Sequence, residues 1–286
     1  MTAIEQPRAL PDAERALSDD KARATRVAGE RRMRRMFLNL GIRLVSVITF
    51  LLIWEVAGSH IDPILFTTPS AIAKAAVEMI ASGELWAYFW PSLKVLMVGF
   101  SFAVVFGILT GLMLARFWVI DVAFSVYITF LYSIPSVALV PLIVLWAGYE
   151  DTAKVIILFM FAFFPMVINT YQGVKAVDPK LIEVGKAFRC SEWQLWKNIV
   201  IPASLPFIVT GLRLSLGRAL IGMVLADLYT ALSGVGYLIS RTAATYQVNR
   251  MFVPIVALGL LGVTLTALLR MAEKYVAPWT NQPDDN

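Results

Sequence analysis

The sequence predicts an all-α integral membrane protein of six transmembrane helices, and three observations carry that prediction. Its mean hydropathy is +0.71, and 58% of its 286 residues are apolar against 16% charged, a larger apolar share than a soluble core of this size can bury. Apolar windows of about 20 residues, the length that crosses a bilayer core, recur along the chain. Lys and Arg gather in alternate segments between those windows, the asymmetry that orients spans. One cysteine and one histidine exclude an intrachain disulfide and leave too few soft ligands for a zinc or haem site built within this chain.

Residues 1–35 mix both signs of charge (Asp12, Glu14, Asp19, Asp20 with Lys21, Arg23, Arg26) and have no apolar h-region. They are expected to form a cytoplasmic tail, flexible or a short surface helix, and not a cleavable signal peptide. The transmembrane domain is expected over 36–279, with a short tail at 280–286. Its first span covers 37–57, where Arg43 and Glu55 lie near enough to the ends for their heads to reach the interface. The spans 95–115, 122–148 and 155–174 contain no formal charge. The window at 122–148 is overlong and holds Pro135 and Pro141 in "SIPSVALVP", so it should be kinked or broken there. The fifth span, 207–228, carries Arg213, Arg218 and Asp227; the sixth, 251–269, is uncharged.

Orientation follows from the short flanks. Arg31, Arg32, Arg34 and Arg35 before the first span put the N-terminus in the cytoplasm, and six crossings return the C-terminus there. Arg116, the loop 175–206 and Arg270 with Lys274 then fall inside. The segments 58–94, 149–154 and 229–250 fall outside, the last against the trend because it holds Arg241 and Arg250.

The loop 175–206 is therefore the longest on the cytoplasmic side, and its punctuation reads as two helices. Asp178-Pro179 supplies an N-cap and a proline at the first helical position. Ser191 with Gln194 three residues on forms a capping box that starts a second helix reaching about Val200, which Pro202 should stop before the next span opens. Trp193, Trp196 and Val200 recur at i, i+3 and i+7 on that helix, an apolar stripe that no bilayer encloses. It rests either on the chain itself and the lipid headgroups or on a cytoplasmic partner.

In this loop the chain resembles the permease subunits of bacterial ATP-binding-cassette importers, whose cytoplasmic Glu-Ala-Ala segment is followed by a glycine and closed by an apolar residue and proline. Glu183-Val184-Gly185, Ile201-Pro202 and Leu205-Pro206 match that frame, with Val and Gly replacing the two alanines and Arg189 standing where the family has its turn glycine. A left-handed turn at a non-glycine residue costs on the order of 1 kcal/mol. The likeness extends over about 65–279 through "TTPSAIAKAA", "SIPSVALVPLIVLWAG", "GLRLSLGRALIGMVLAD" and "SGVGYLI", which are similar to the subgroup serving nitrate, sulfonate and taurine.

The resemblance implies a permease of the bacterial inner membrane that works as a pair of copies, with two ATPase subunits beneath it and an external solute-binding protein above it. Inward-open and outward-open states would alternate under the bias of nucleotide and docked binding protein. Glu183, Arg189, Cys190 and Ser191 are the expected contacts with the ATPase, and Lys186, Ala187 and Trp193 their neighbours. ATP and magnesium are expected in the partner, because the nearest approach to a phosphate-binding loop here, Gly185-Lys186, is followed by Ala187 and has Lys180 where the first glycine should be. The solute would be a small anion, or in an alternative reading bicarbonate, a pyrimidine precursor or an aromatic acid.

Charges inside a span are costly enough to count as functional candidates. Arg218 and Asp227 are nine residues apart, half a turn out of phase and about 13.5 Å along the axis, so they cannot pair with each other on a straight helix. Either could line the translocation path, where Arg218 would attract an anion; alternatively Asp227 caps loop amides at the outer helix end and Arg218 bonds a neighbouring span. Gly107 and Gly111 permit close helix approach, within the chain or between copies. "SGVGYLI" reads as a tight turn and short apolar segment at the outer surface. A membrane enzyme would need acid, base or metal ligands clustered at one depth, and a stand-alone secondary transporter would lack the ATPase-facing loop and is often built from inverted repeats. Neither pattern is visible, nor is any signature of nucleic-acid binding.

Overall fold

The computed structural model describes residues 11–276, and among them every regular element is helical. The chain forms two units, residues 1–61 and 62–286. The first is the single helix α1 (Pro11–Ser59), whose stretch Phe37–Ser59 is long and apolar enough to span a bilayer. From Pro11 onward the backbone is helical and runs without a break into the span. Proline at a first helical position and the many Ala, Arg, Glu and Lys residues that follow favour that continuation. Residues 1–10 and the C-terminal tail 280–286 lie outside the described residues.

The second unit begins with α2 (Pro69–Ala81), too short to span; the Thr68 side chain accepts from Ala71 N–H at 3.3 Å and caps it. There follow α3 (Glu84–Arg116), α4 (Trp118–Ser133), α5 (Ser136–Ala147), α6 (Asp151–Lys175), α7 (Pro179–Ala187) and α8 (Glu192–Leu195). A π-helical turn at Trp196–Val200 then leads into α9 (Ile201–Thr230), before α10 (Val235–Ala244) and α11 (Val248–Val276). Helices α4 and α5 meet at a 97° bend around Ile134-Pro135. Among the described residues five stretches could cross a membrane, or six with the bent pair taken as one.

Helix α6 is the hub: 56% of its spanning window is buried, against 33% for α3, 33% for α9 and 11% for α11. Hydrocarbon tails offer apolar side chains as much as a neighbouring helix does, so these helices associate through close contact and not through escape from water. The sequence provides that closeness with glycine. An added Cβ at Gly107 would stand 2.7 Å from Met166 Cβ and one at Gly111 2.6 Å from Thr170 Cβ, so α3 seats directly on α6. Gly173 faces Phe207 and Gly211 faces Asn169 in the same way between α6 and α9. Gly107 and Gly111 thus serve packing within the chain. Val95, Leu96, Ala103, Leu158, Ala162, Ala219 and Met223 form the core where the three helices meet.

Pro202 does not stop a helix, contrary to expectation. The chain is helical from Glu192 to Thr230 without interruption. A proline inside an α-helix removes one hydrogen bond and drives its ring toward the carbonyl four residues back. Here the preceding turn is widened, Ile201 N–H bonding Trp196 O five residues back, which makes room for the ring.

Candidate functional site

Three features built by these helices carry chemistry. The first is the turn between α7 and α8. Asp178 Oδ1 accepts from Lys180 N–H at 2.9 Å to start α7. At Ser191 both bonds of the capping box are formed: Gln194 N–H to Ser191 Oγ at 3.3 Å and Ser191 N–H to Gln194 Oε1 at 2.8 Å. Between them Arg189 has φ +56°, the left-handed conformation that a turn glycine would take without strain. Arg189 N–H bonds Lys186 O at 2.9 Å and Cys190 N–H bonds Gly185 O at 3.0 Å, the paired closure of a Schellman cap. The arginine therefore keeps the glycine shape of the reversal.

Gly185, at the last position of the Glu-Val-Gly segment, is buried against Leu195 and Ile199; a Cβ there would lie 2.8 Å from Ile199 Cδ1. With Leu195, Val177 and Val200 beneath, this side of the turn is a small core of its own. The opposite side is open. Leu181 (47% exposed), Val184 (52%) and Phe188 (80%) recur at i, i+3 and i+7 as an uncovered apolar ridge on α7, beside the exposed Glu183, Lys186, Ala187 and Arg189. Ser191 is exposed too, and Cys190 is half-buried. The tryptophan stripe divides. Trp196 is half-buried under Arg116, which also pairs with Glu192 at 2.9 Å. Trp193 is 72% exposed at the rim of an apolar groove of about 420 Å³ shared with Phe117.

The second feature lies at the other end of the helices, and it corrects the path reading of Asp227. This carboxylate is fully buried. Its Oδ1 pairs with Lys154 Nζ at 3.0 Å, and its Oδ2 accepts from the Ser92 hydroxyl at 2.5 Å and from Gly236 N–H at 3.4 Å. Lys154, 1% exposed, spends its other donors on Ser233 O at 2.8 Å and Ser233 Oγ at 3.0 Å. Ser92 Oγ in turn accepts from Val235 N–H at 2.8 Å. Four elements, α3, α6, α9 and the turn into α10, converge on one ion pair whose polar atoms are satisfied, so Asp227 faces no path in this structure.

The same geometry corrects the reading of "SGVGYLI". It wraps the buried carboxylate with Val235, Gly236 and Leu238 buried. Gly234 has φ +101°, and any side chain there would strike the Asp227 carboxylate. Lys154 was missed because the apolar window began one residue after it; the signal was a lone lysine just before an uncharged span in a chain with an acid, Asp227, inside the next span. The two arginines that ran against the charge asymmetry are also taken up here: Arg250 pairs with Glu84, and Arg241 donates to Tyr88 Oη at 2.8 Å.

The third feature is a cavity of about 370 Å³ at the α4–α5 bend, lined by Ser133, Ser136, Met160, Phe164 and Arg218 among others. Of the three charged side chains of α9, Arg213 pairs with Glu273 at 2.7 Å and Asp227 with Lys154, whereas Arg218 is exposed and has no ion-pair partner among the described residues.

Comparison with known proteins agrees with this architecture. Residues 103–282 match the family described as binding-protein-dependent transport system inner membrane component. The chain is 32% identical over 243 residues to SsuC of Bacillus subtilis, named for aliphatic sulfonates transport as a permease protein, covering 84% of this chain and 87% of the relative. It is 31% identical over 232 residues to the formylaminopyrimidine transport permease protein ThiX of Halalkalibacterium halodurans, covering 80% and 92%. Among solved structures, an inward-facing MetNI methionine ABC transporter chain superposes with a TM-score of 0.51 at 18% identity, over 70% of this chain and 99% of that one. An amino acid ABC transporter chain gives 0.51 at 18% identity, over 71% and 96%.

Proposed function

Given that the chain belongs to the binding-protein-dependent transport system inner membrane component family, the permeases of ATP-binding-cassette importers, we propose that its loop 175–206 is the seat of a partner ATPase. The observation that supports this most is the uncovered ridge of Leu181, Val184 and Phe188. An apolar row of this kind outside the spans is costly to leave in water and suits a protein groove. Glu183, Lys186 and Arg189 flank it and would set register through charge pairs at the rim. Cys190, Ser191 and Ala187 lie in the turn that would enter the groove, and Trp193 beside it.

On this reading the α7–α8 end faces the cytoplasm with both termini, and the α10 end faces the solute-binding protein. Two copies pair about a two-fold axis, and ATP with magnesium is bound and hydrolysed in the partner. This chain supplies the docking ridge, the rigid span behind it and the lining of the path. The solute is a small oxyanion of the sulfonate type, a reading favoured by the unpaired Arg218 beside a cavity and by the relative named for sulfonates. Neutral solutes such as pyrimidine precursors are the competing case, since another relative is named for one.

Reconstitution tests the reading. The chain in proteoliposomes with its ATPase and binding protein should take up solute only with ATP, and Phe188→Asp should abolish co-purification of the ATPase while the permease remains monodisperse. Uptake by the chain without ATPase or ATP would overturn it.

A further inference from the structure

We propose that Arg218, Ser133 and Ser136 form an oxyanion subsite within the membrane, one that binds the negatively charged head of a sulfonate-like solute in passage. The inference rests on the permease reading above and adds the group that is recognised and the atoms that recognise it.

Its depth is the first argument. Arg218 lies 12 residues before the end of α9 at Thr230, about 18 Å along the axis, and about 26 Å beyond Ile201. That is well inside a hydrocarbon layer of about 30 Å, where a guanidinium facing lipid is strongly disfavoured and where such residues face a hydrated cavity or an opposite charge. Among the described residues no opposite charge pairs with it, and Asp227, the one acid on its helix, is already held by Lys154. The protein supplies a cavity instead, about 370 Å³ in volume, within the range of small-ligand sites of roughly 300–1,000 Å³.

The lining is the second argument. Met160 and Phe164 give an apolar wall, and two hydroxyls, Ser133 and Ser136, stand at the α4–α5 bend. The Ser136 hydroxyl has no hydrogen-bond partner among the described residues, and Ser133 Oγ donates to Thr129 O at 2.8 Å, a bond within its own helix that a side-chain rotation exchanges for a solute oxygen. A planar fork of guanidinium donors with two hydroxyls beside it matches the three oxygens of a sulfonate head, with the organic tail against Met160 and Phe164.

Continuity is the third. Ser125, Thr129 and Ser133 follow one another at intervals of four along one face of α4. The first two line a second cavity, of about 270 Å³. Tyr132 borders both cavities and so stands between them. The hydroxyl row thus leads from Arg218 toward the α4 N-terminal end, where Asp121 is held by Lys175 at 3.2 Å and by the Tyr171 hydroxyl at 3.0 Å.

Thiol chemistry tests the subsite whichever solute the complex carries. In a Cys190→Ser background, with the full chain in membrane vesicles, Ser133→Cys is treated with anionic sulfonatoethyl methanethiosulfonate or with its cationic trimethylammonium counterpart. The expected result is faster labelling by the anionic reagent, by about tenfold, with the preference lost when Arg218→Gln is added and labelling slowed by excess ethanesulfonate. Ser136→Cys gives the same readings if Ser133→Cys does not reach the membrane. Equal rates for the two reagents, a preference unchanged by Arg218→Gln, or a thiol closed to both would overturn the subsite. The permease reading stands or falls separately on ATP-dependent uptake by the wild-type complex. Uptake with no charge preference at the cavity sinks the subsite alone; absence of any uptake sinks the permease reading.

Discussion

Removing either partner of the Lys154–Asp227 pair should destabilise the chain far more than removing both. The pair is 3.0 Å apart with side chains 1% and 0% exposed. At an effective dielectric constant of about 20 the attraction is about 5–6 kcal/mol, and it offsets the cost of holding two charges out of water. Asp227→Leu leaves an ammonium enclosed with only the two Ser233 oxygens as acceptors, and Lys154→Met leaves a carboxylate held only by Ser92 and Gly236. Each single change is expected to cost about 3–5 kcal/mol, while Lys154→Met with Asp227→Leu, which removes both charges, should cost less than either single change, about 2 kcal/mol at most. Equilibrium unfolding of the purified chain in mixed micelles, titrated with dodecyl sulfate, measures all four forms. Simple additivity, with a coupling below about 0.5 kcal/mol, would refute the reasoning.

Three other outcomes are expected. Gly111→Ala should destabilise by about 1–3 kcal/mol, because its Cβ meets Thr170 Cβ at 2.6 Å and the Val167 carbonyl at 2.8 Å; Gly217→Ala, with nothing within 4 Å, should be neutral or gain up to about 1 kcal/mol in the same titration. Arg189→Gly should leave assembly intact and change stability by less than about 1 kcal/mol, since relief of the φ +56° conformation is offset by the freer unfolded chain; loss of the ATPase from the purified complex would mean that the arginine side chain is itself a contact. Glu183→Ala should lower solute taken up per ATP hydrolysed by about tenfold in proteoliposomes, with the complex still assembled; an unchanged ratio would remove Glu183 from the coupling.

Composition and spacing make the membrane class, the apolar windows and the two caps of the loop legible, because each depends on local sequence: a run of apolar residues, a Ser with a Gln three places on, an Asp before a Pro. What escapes is decided by partners far along the chain. Lys154 and Asp227 are 73 residues apart, and nothing local to either says that each neutralises the other. Pro202 reads as a stop because the rule for proline assumes an α-helical turn before it; the wider turn at Trp196–Val200 removes the clash that the rule is built on. The tryptophan stripe fails for a similar reason: a helical wheel does not show that Arg116, on another helix, covers Trp196 and leaves Trp193 out. Arg218 was visible as a charge in a span, but its lack of a partner could be seen only once Arg213 had found Glu273 and Asp227 had found Lys154.

The helix that never breaks at Pro202 has a mechanical meaning. Because α8, the widened turn and α9 are one continuous helical run of 39 residues, about 58 Å measured along the helix, a displacement applied at Glu192 is passed directly into α9. A hinge at the proline would have let the loop swing alone and lose the motion in the joint. The run is anchored near its far end by Asp227, so that point is a natural fulcrum, and Arg218, about 13.5 Å from it, sweeps a shorter arc than the loop does. A large stroke at one end would then arrive beside the α4–α5 bend as a small, more forceful displacement.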